Sequence, residues 1–256
     1  MTKRLVVGLA TVFLALAGIA TAQPAPSVGD AGSLSPEKIL LLMKKAYASC
    51  RSYRDTGDVR KASVTEGGQF GSELPFATVF VRPDRLRFEF TDQGLGDRTA
   101  KYVVWAEGSE VRSWWDAKPG VRRPASLQAA LDAAAGISGG SSVRVPGLLL
   151  PGVVGESAPL LGAERSEDGN DRGVSCFRIR GASRKTPYTL SMGARQITVK
   201  DESVTLWIDR ATFLLRKVEQ NRTFDTYREE STTLYTPEVN PNIAPGELVF
   251  GMPGTP

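Results

Sequence analysis

The chain has 256 residues, 41% of them hydrophobic and 23% charged, which is the composition of a folded protein with one domain or two small ones. Its formal net charge of +4 falls to +2 without Lys3 and Arg4, which is too little to indicate binding to nucleic acid or to an anionic membrane surface. The absence of histidine excludes Ser-His-Asp and Cys-His catalysis and most zinc, copper and iron sites. We therefore expect no catalytic residues, no metal site and no cofactor.

The N-terminus has the pattern of an export signal. A short basic start precedes an uncharged apolar run over residues 5–19, and Ala20-Thr21-Ala22 offers the small-x-small pattern that a signal peptidase cuts. We predict a signal peptide over residues 1–22, cleaved after Ala22, a flexible leader over 23–34, and a single domain over 35–256. The mature protein is expected in a bacterial periplasm, as a monomer.

The domain begins with a predicted helix and continues with strands. Ser35-Pro36-Glu37 supplies an N-cap, a first-turn proline and a first-turn acid, and apolar residues recur at helical spacing up to Cys50. From Tyr53 the period becomes two, which predicts strands near 53–64, 75–82, 84–91, 100–106 and 110–115. Residues 107–109 are expected to form a hairpin turn. Trp114 and Trp115 are adjacent, so one should point inward and the other outward, and the pattern does not choose between them.

The segment FVRPDRLRFEF at 80–90 contains a proline between two strand-like halves. Pro83 has no N–H to donate, so it predicts a corner or a sheet edge. After it, Leu86, Phe88 and Phe90 alternate with charged residues, so one face of this strand is apolar. Together with Phe76 and Phe80 on the preceding strand, these side chains form either the wall of an apolar cavity or an ordinary core under helices.

A central insert over residues 124–152 interrupts the strands. An Ala-rich stretch to about residue 137 predicts a helix, and Gly- and Ser-rich residues follow it. Leu148, Leu149 and Leu150 stand between two prolines, in a segment that we expect to be too short for much regular structure. They are interpreted equally well as a lid tip or partner-facing patch and as a loop anchored in the core.

Strands resume after the insert, near 160–165, 173–181, 187–192, 195–200, 203–209, 213–220 and 224–235, with a short one at residues 247–250. EDGND at 167–171 is predicted to be a turn, and residues 209–212 a hairpin turn. The two cysteines, Cys50 and Cys176, either form a disulfide, worth about 4–5 kcal/mol on the chain-entropy model, or are separately buried thiols. The element order predicts a mainly β fold with a few helices (α+β), in which one large curved antiparallel sheet carries the helices on one face.

This order of elements resembles the periplasmic outer-membrane lipoprotein carrier (LolA-like) superfamily. The similarity covers residues 35–253 and depends on VRPDRLRFEF, on the Trp-bearing hairpin after it, and on the terminal F-x-x-P at residues 250–253. The resemblance implies an incomplete β-barrel with helices as a lid over its concave apolar face. It implies that Arg82 ties the lid shut through hydrogen bonds to the lid backbone, and that Phe88 lines the cavity.

The resemblance also implies a ligand and partners. The ligand would be the acyl chains of lipid or lipoprotein, received from an inner-membrane transporter and delivered to an outer-membrane acceptor. Exposing one long acyl chain to water costs on the order of 10 kcal/mol, so a carrier needs a concave apolar surface. The leading hypothesis is such a carrier, with Phe76, Phe80, Leu86, Phe88 and Phe90 lining its cavity. A lipid-sensing envelope regulator is the alternative, and an exported enzyme is the least favoured interpretation.

Overall fold

The computed structural model describes residues 34–95, 98–154, 160–192 and 195–251. The predicted signal peptide, nearly all of the predicted leader and the last two residues of the F-x-x-P ending lie outside the described residues. The described residues all belong to one compact unit of the chain. Among the helices described, none has the length and apolar character that a membrane crossing requires.

Thirteen strands and five helices are formed by the described residues. The strands are β1 Ser52–Thr65, β2 Gly68–Val81, β3 Arg85–Leu95, β4 Arg98–Glu107, β5 Glu110–Trp115, β6 Lys118–Arg122, β7 Leu161–Asp171, β8 Val174–Ala182, β9 Tyr188–Met192, β10 Arg195–Val199, β11 Asp201–Asp209, β12 Leu215–Thr223 and β13 Arg228–Val239. The helices are α1 Pro36–Ala48, α2 Leu127–Ala135, α3 Ser141–Leu149, α4 Pro151–Val154 and α5 Pro245–Leu248.

Eleven strands form one antiparallel sheet in the order β6-β5-β4-β3-β2-β1-β13-β12-β11-β8-β7. In the part of the chain described, the edge strands β6 and β7 do not pair with each other, so the sheet is an open half-barrel. β9 and β10 form a separate hairpin. The predicted fold class, a mainly β protein built on an incomplete antiparallel barrel with a few helices, is confirmed.

Helix α1 forms for the reasons that the sequence indicated. The Ser35 hydroxyl accepts a hydrogen bond from the backbone N–H of Lys38, and Pro36 occupies the first turn. Ile39, Met43 and Tyr47 form its buried face. Tyr47 fixes the helix to the sheet, because its hydroxyl accepts a hydrogen bond of 3.1 Å from the N–H of Leu215, at the start of β12.

Helices α2 and α3 are joined by buried serines. The Ser142 hydroxyl donates to the carbonyl of Leu131 at 2.8 Å, and the Ser138 hydroxyl donates to that of Ser142 at 3.1 Å. The turn between them contains Gly139 and Gly140, both at positive φ, where glycine is favoured. A Cβ on Gly139 would lie 2.7 Å from a methyl of Val59, so glycine also lets this turn approach β1 closely.

Several predicted boundaries are wrong. The segment with the three leucines is helical, since α3 accommodates Pro146 in its interior. The EDGND segment belongs to β7, and the chain turns one residue later, at Arg172 and Gly173. The last predicted strand is instead the short helix α5, which begins at Pro245.

The predicted corner and hairpin turns are confirmed. Residues 82–84 turn the chain between β2 and β3, and the Arg82–Pro83 peptide bond is cis. Residues 108–109 connect β4 with β5, and residues 210–214 connect β11 with β12.

The C-terminal segment covers the outer face of β3–β5. The Phe250 ring lies 5.4 Å from the Trp105 ring and 5.2 Å from the Trp114 ring, centroid to centroid. The Arg87 guanidinium donates to the carbonyls of Glu247 and Val249. Trp114 therefore points outward. Trp115 points inward, because its ring contacts that of Tyr102, whose hydroxyl donates to the carbonyl of Ala130 in α2. Both tryptophans are half-buried.

The two cysteines are buried and free, so the disulfide alternative is wrong. Cys50 directly follows α1, on the helix side of the sheet, and its thiol donates to the carbonyl of Ala46 at 3.2 Å. Cys176 alternates in β8 with the inward-facing Phe177 and Ile179, so its side chain points to the opposite face. The sheet itself separates the two thiols.

Candidate functional site

A large cavity lies between the helices and the concave face of the sheet. Its volume is about 1890 Å³, which is above the roughly 300–1,000 Å³ of ordinary small-molecule pockets. Helix α1, the α2–α3 hairpin, the start of β7 and the inner faces of β1, β2 and β11–β13 form its walls. The sheet wall is built from side chains of neighbouring strands that stand in register.

Three rows of inward-facing residues cross this wall, and they differ in polarity. The first, the apolar row, consists of Leu74, Val59, Thr233, Val218 and Leu206. Two residues further along the strands, the polar row consists of Ser72, Lys61, Ser231, Gln220 and Val204. Two residues further still, the charged row consists of Glu229, Arg222 and Glu202 on β11–β13, and the same register continues on β1 and β2 with Ser63 and the exposed Phe70.

The rows also differ in exposure. Every member of the apolar row is at most 8% exposed, and Leu74 and Leu206 line the cavity. All five members of the polar row line it, and Gln220 and Ser231 do so while remaining more than nine-tenths buried. Arg222 and Glu229 are half-buried. The cavity wall therefore changes from the side chains of Leu74 and Leu206 to those of Arg222 and Glu229 over about 13 Å along the strands.

The charged row is held by a dense set of hydrogen bonds around Glu202. This buried carboxylate accepts from Arg222 Nε at 3.0 Å, from Gln220 Nε2 at 2.7 Å and from Tyr188 Oη at 3.0 Å, and also from Ser183. Burial alone would raise the pKa of Glu202, but these donors outweigh it and the pKa is lowered. Glu202 therefore remains ionised and fixes Arg222 at the cavity wall.

The rim of the cavity exposes large apolar side chains. Leu41 of α1, Ile137 of the α2–α3 turn and Leu161 of β7 are 45%, 39% and 42% exposed, and all three line the cavity. Lys61 braces this rim, because its ammonium donates to the carbonyls of Gly136 and Ile137, both at 2.7 Å. Exposed apolar side chains at the rim of a cavity are typical of a surface that binds an apolar ligand or partner.

The five side chains that were expected to line the cavity lie elsewhere on the same face. Phe76, Phe80, Leu86, Phe88 and Phe90 are each at most 4% exposed and form the packed half of the inner face. The centroid of the Phe90 ring lies 6.3 Å from that of Phe88 and 5.7 Å from that of Tyr102. The Tyr102 hydroxyl in turn donates to the carbonyl of Ala130 in α2. None of the five is among the described residues that line the cavity, and their contact with lipid stays a prediction.

The three leucines of the insert are part of the core. Leu148, Leu149 and Leu150 are 5%, 0% and 6% exposed, because α3 turns them toward the sheet and the neighbouring helices. This burial contradicts the interpretation as a partner-facing patch and agrees with the alternative, a segment anchored in the core; the role of the insert as a lid stays a prediction. Leu148 also lines the cavity from the helix side.

Arg82 connects two helix ends. Its Nε donates to the carbonyl of Cys50 at 2.7 Å, and its Nη2 donates to those of Ala48 at 2.7 Å and Leu149 at 3.2 Å. Carbonyls at the C-terminal ends of helices have no partner within the helix and carry partial negative charge, so a guanidinium suits them. The sequence resemblance implied this kind of contact for Arg82; its action as a latch stays a prediction.

A buried carboxyl lies deeper on the same face. Asp55 is 1% exposed and accepts a hydrogen bond of 2.9 Å from the hydroxyl of Tyr53, whose ring contacts that of Tyr47 in α1. Burial raises the pKa of Asp55 to about 6, and the hydrogen bond opposes this shift without cancelling it. The group belongs to the packed half.

The cavity residues of β11–β13 were missed at the level of the sequence. A strand was predicted near 203–209, and its alternating Val204, Leu206 and Ile208 give no sign in the sequence of what covers them. Gln220 and Ser231 lie in two other predicted strands, and only the register of the sheet brings them into one row with Lys61.

Comparisons with known proteins give similarities among solved structures. No protein-family model matches the sequence, and no curated protein matches it. The chain is similar to lipoprotein LppX of Mycobacterium tuberculosis, at 10% identity and a TM-score of 0.39, over 80% of this chain and 95% of the other. It is similar to a LolA superfamily protein of Nitrosomonas europaea, at 9% identity and a TM-score of 0.31, over 85% and 99%.

A third similarity is to MucB of Pseudomonas aeruginosa, solved in complex with MucA, at 10% identity and a TM-score of 0.40, over 84% of this chain and 61% of that one. These are likenesses of fold at low identity, and the function proposed for this chain rests on its own cavity.

Proposed function

We propose that this chain is an exported, periplasmic lipid-binding carrier, which shelters the acyl chains of a lipid or lipoprotein in its cavity and performs no covalent chemistry. The observation that carries the proposal is the cavity of about 1890 Å³, whose sheet wall begins with an apolar row and whose rim exposes Leu41, Ile137 and Leu161. Each methylene transferred from water to such a wall contributes about 0.8 kcal/mol. A chain of ordinary lipid length is thereby held strongly without a covalent bond.

The two halves of the inner face supply the other requirement of a carrier, which is stability when empty. The packed half holds the sheet to α2 with its own aromatic side chains, so the fold does not depend on a ligand to complete its core. Arg82 joins the ends of α1 and α3 across this half. Loading and release then need movement of the helices where they cover the cavity, and the Arg82 contacts to the ends of α1 and α3 oppose that movement.

The first experiment measures binding. The purified protein is titrated against phosphatidylcholine that carries a fluorescent acyl chain, and protein isolated from its cells is examined by native mass spectrometry for lipid adducts. Leu206→Gln places an amide on the apolar row and is expected to weaken binding about tenfold. The matched control is Leu234→Gln, which makes the same change on the opposite face of the sheet and should leave affinity unchanged. Absence of both adducts and probe binding would end the proposal.

The second experiment measures transfer. Purified protein is added to spheroplasts, and lipoprotein released into the medium is quantified. A carrier is expected to release lipoprotein in proportion to its concentration, and Leu206→Gln should release less. Lipid binding without any release, together with stable binding to a membrane protein, would contradict the carrier role and favour the lipid-sensing alternative.

A further inference from the structure

We propose that the cavity takes up its amphiphile tail-first toward α1, and that it selects a headgroup with no net charge, of which a zwitterionic phosphoester is the example to test. This inference rests on the proposed function and adds to it an orientation and a headgroup class. The observations that carry it are the closed end of the cavity, the order of the three rows and the balance of charge on its walls.

Helix α1 closes the apolar end. Tyr47 is hydrogen-bonded to the N–H of Leu215, beside the β11–β12 turn, and Arg82 fixes the C-terminal end of α1 at the β2–β3 turn. Both turns lie at the same end of the sheet, beyond the apolar row. Leu40 and Met43 of α1 line the cavity, as do Glu37 and Lys44 of the same helix. A tail that reaches this end meets Leu40 and Met43 of α1 and Leu74 and Leu206 of the sheet.

The opposite end carries polar and charged side chains on the sheet side, next to the stacked rings of Phe224 and Tyr227, which also line the cavity. Lys61, Ser72, Ser231 and Gln220 follow the apolar row after about 7 Å, and Arg222 and Glu229 after about 13 Å. An amphiphile gains most when its apolar and polar parts both match the wall, because a polar head buried against leucine loses its hydrogen bonds to water. The sequence of rows thus fixes the direction of the ligand.

The charges on the wall cancel. The described residues that line the cavity include five basic and five acidic side chains, whereas the whole chain carries a net charge of +4. Near the polar end, Nε of Arg222 lies 3.0 Å from a carboxylate oxygen of Glu202, and its Nη1 lies 3.5 Å from one of Glu229. The positive charge of Arg222 is therefore already balanced by carboxylates of the protein. A headgroup with a net negative charge would meet Glu229 beside Arg222, and its own charge would remain unbalanced in a partly dewatered site.

A zwitterionic headgroup avoids that cost. Its anionic and cationic groups can both find partners among side chains that alternate in sign, and the pair adds no net charge to the site. Gln220 and Ser231, both more than nine-tenths buried, add neutral polar surface between the charged groups and the apolar row. The headgroup is thus selected by the balance of charge, and the tail by the apolar row.

The orientation is tested with spin-labelled phosphatidylcholine bound to the full chain. A doxyl group at carbon 16 of the acyl chain is expected to broaden the amide signals of Leu74 and Leu206 most strongly. A doxyl group at carbon 5 is expected to broaden those of Arg222 and Glu229 most strongly. The reverse order, or equal broadening by both labels, would overturn the orientation.

The headgroup class is tested with phosphatidylethanolamine and phosphatidylglycerol of identical acyl chains. Phosphatidylethanolamine is expected to bind at least about tenfold more tightly. Glu229→Gln removes one negative charge from the wall and should reduce that ratio several-fold. Glu73→Gln removes the same charge from the outer face, where Glu73 pairs with Arg60, and should leave the ratio unchanged. Equal or tighter binding of phosphatidylglycerol by the unmodified chain would overturn the inference.

The experiments distinguish failure of the proposed function from failure of the predicted orientation and headgroup class. If no lipid binds to the unmodified chain in any of these experiments, the proposed function and this inference fall together. If lipids bind, but with the reverse order of broadening or with a preference for phosphatidylglycerol, the inference falls and the proposed function stands.

Discussion

The two halves of the inner sheet face have the same strand pattern and opposite packing. Around Phe88 and Phe90, aromatic side chains are buried beneath α2 and do not line the cavity. Around Leu206 and Gln220, the same kind of alternation faces a large cavity. The two halves differ in the side chains and helices that lie opposite each strand. An apolar strand face by itself therefore predicts burial, but it does not show whether protein side chains or a ligand cover it.

The largest expected effect comes from the packed half. Phe88→Ala removes a fully buried ring from between Phe76 and Phe90, and we expect the free energy of unfolding to fall by about 3–5 kcal/mol. Urea unfolding measures this change. The affinity of the fraction that remains folded for fluorescent phosphatidylcholine should stay the same, since Phe88 does not line the cavity. Loss of lipid affinity with stability intact would reverse the assignment of the two halves.

The second expected effect is a dependence of the free energy of unfolding on pH, which arises from Asp55 in the packed half. The pKa of Asp55 in the folded chain, about 6, lies above its ordinary value of 3.8, so the folded chain binds more protons than the unfolded chain between these values. The free energy of unfolding from this group therefore falls by up to about 3 kcal/mol as pH rises from 4 to 7.

Asp55→Asn isolates this contribution. The difference in unfolding free energy between the variant and the unmodified chain should change over pH 4–7 and stay constant above pH 7. Denaturant unfolding at several pH values measures it. A difference that is the same at pH 4 and pH 7 would show that Asp55 titrates normally and is not held in a dry core.

A smaller effect connects the two halves. Arg82→Leu removes the donors to Ala48 and Leu149, which favour the closed arrangement of α1 and α3. Because closure competes with lipid, its loss should raise lipid affinity about tenfold and slow release by a similar factor. Stopped-flow release of fluorescent lipid measures the rate. Arg51→Leu, an exposed neighbour, is the control; a release rate for Arg82→Leu equal to that of the control would contradict the latch.

The sequence predicted the helices and strands better than it predicted the tertiary contacts around them. Period-two alternation placed Leu86, Phe88 and Phe90 on the inner face, and the residues from Ser35 to Glu37 placed the start of α1, since these signals are local. Helix α3 was missed because Pro146 and Gly147 are read as breakers, while its stability comes from burial of Leu148 and Leu149. Local signals cannot show such tertiary contributions.

The type of the candidate site could be predicted from the sequence, but its position on the sheet could not. An apolar sheet face under helices was expected, but its hollow part depends on where α1 and the Gly139–Gly140 turn lie over β1 and β12, and these are contacts between residues far apart in the chain. The separation of Cys50 from Cys176 likewise follows from the sheet that stands between them. Two cysteines in an exported chain carry no information about which faces they occupy.

The most direct test of the central claim, that the cavity half of the sheet shelters acyl chains, is photocrosslinking with phosphatidylcholine that carries a diazirine near the end of its acyl chain. Mass mapping of the labelled peptides locates the tail. The account predicts adducts on the segments that contain Leu74, Leu206 and Met43, and none on the segment that contains Leu86 and Phe88. Adducts concentrated on β3, with β11 unlabelled, would contradict it.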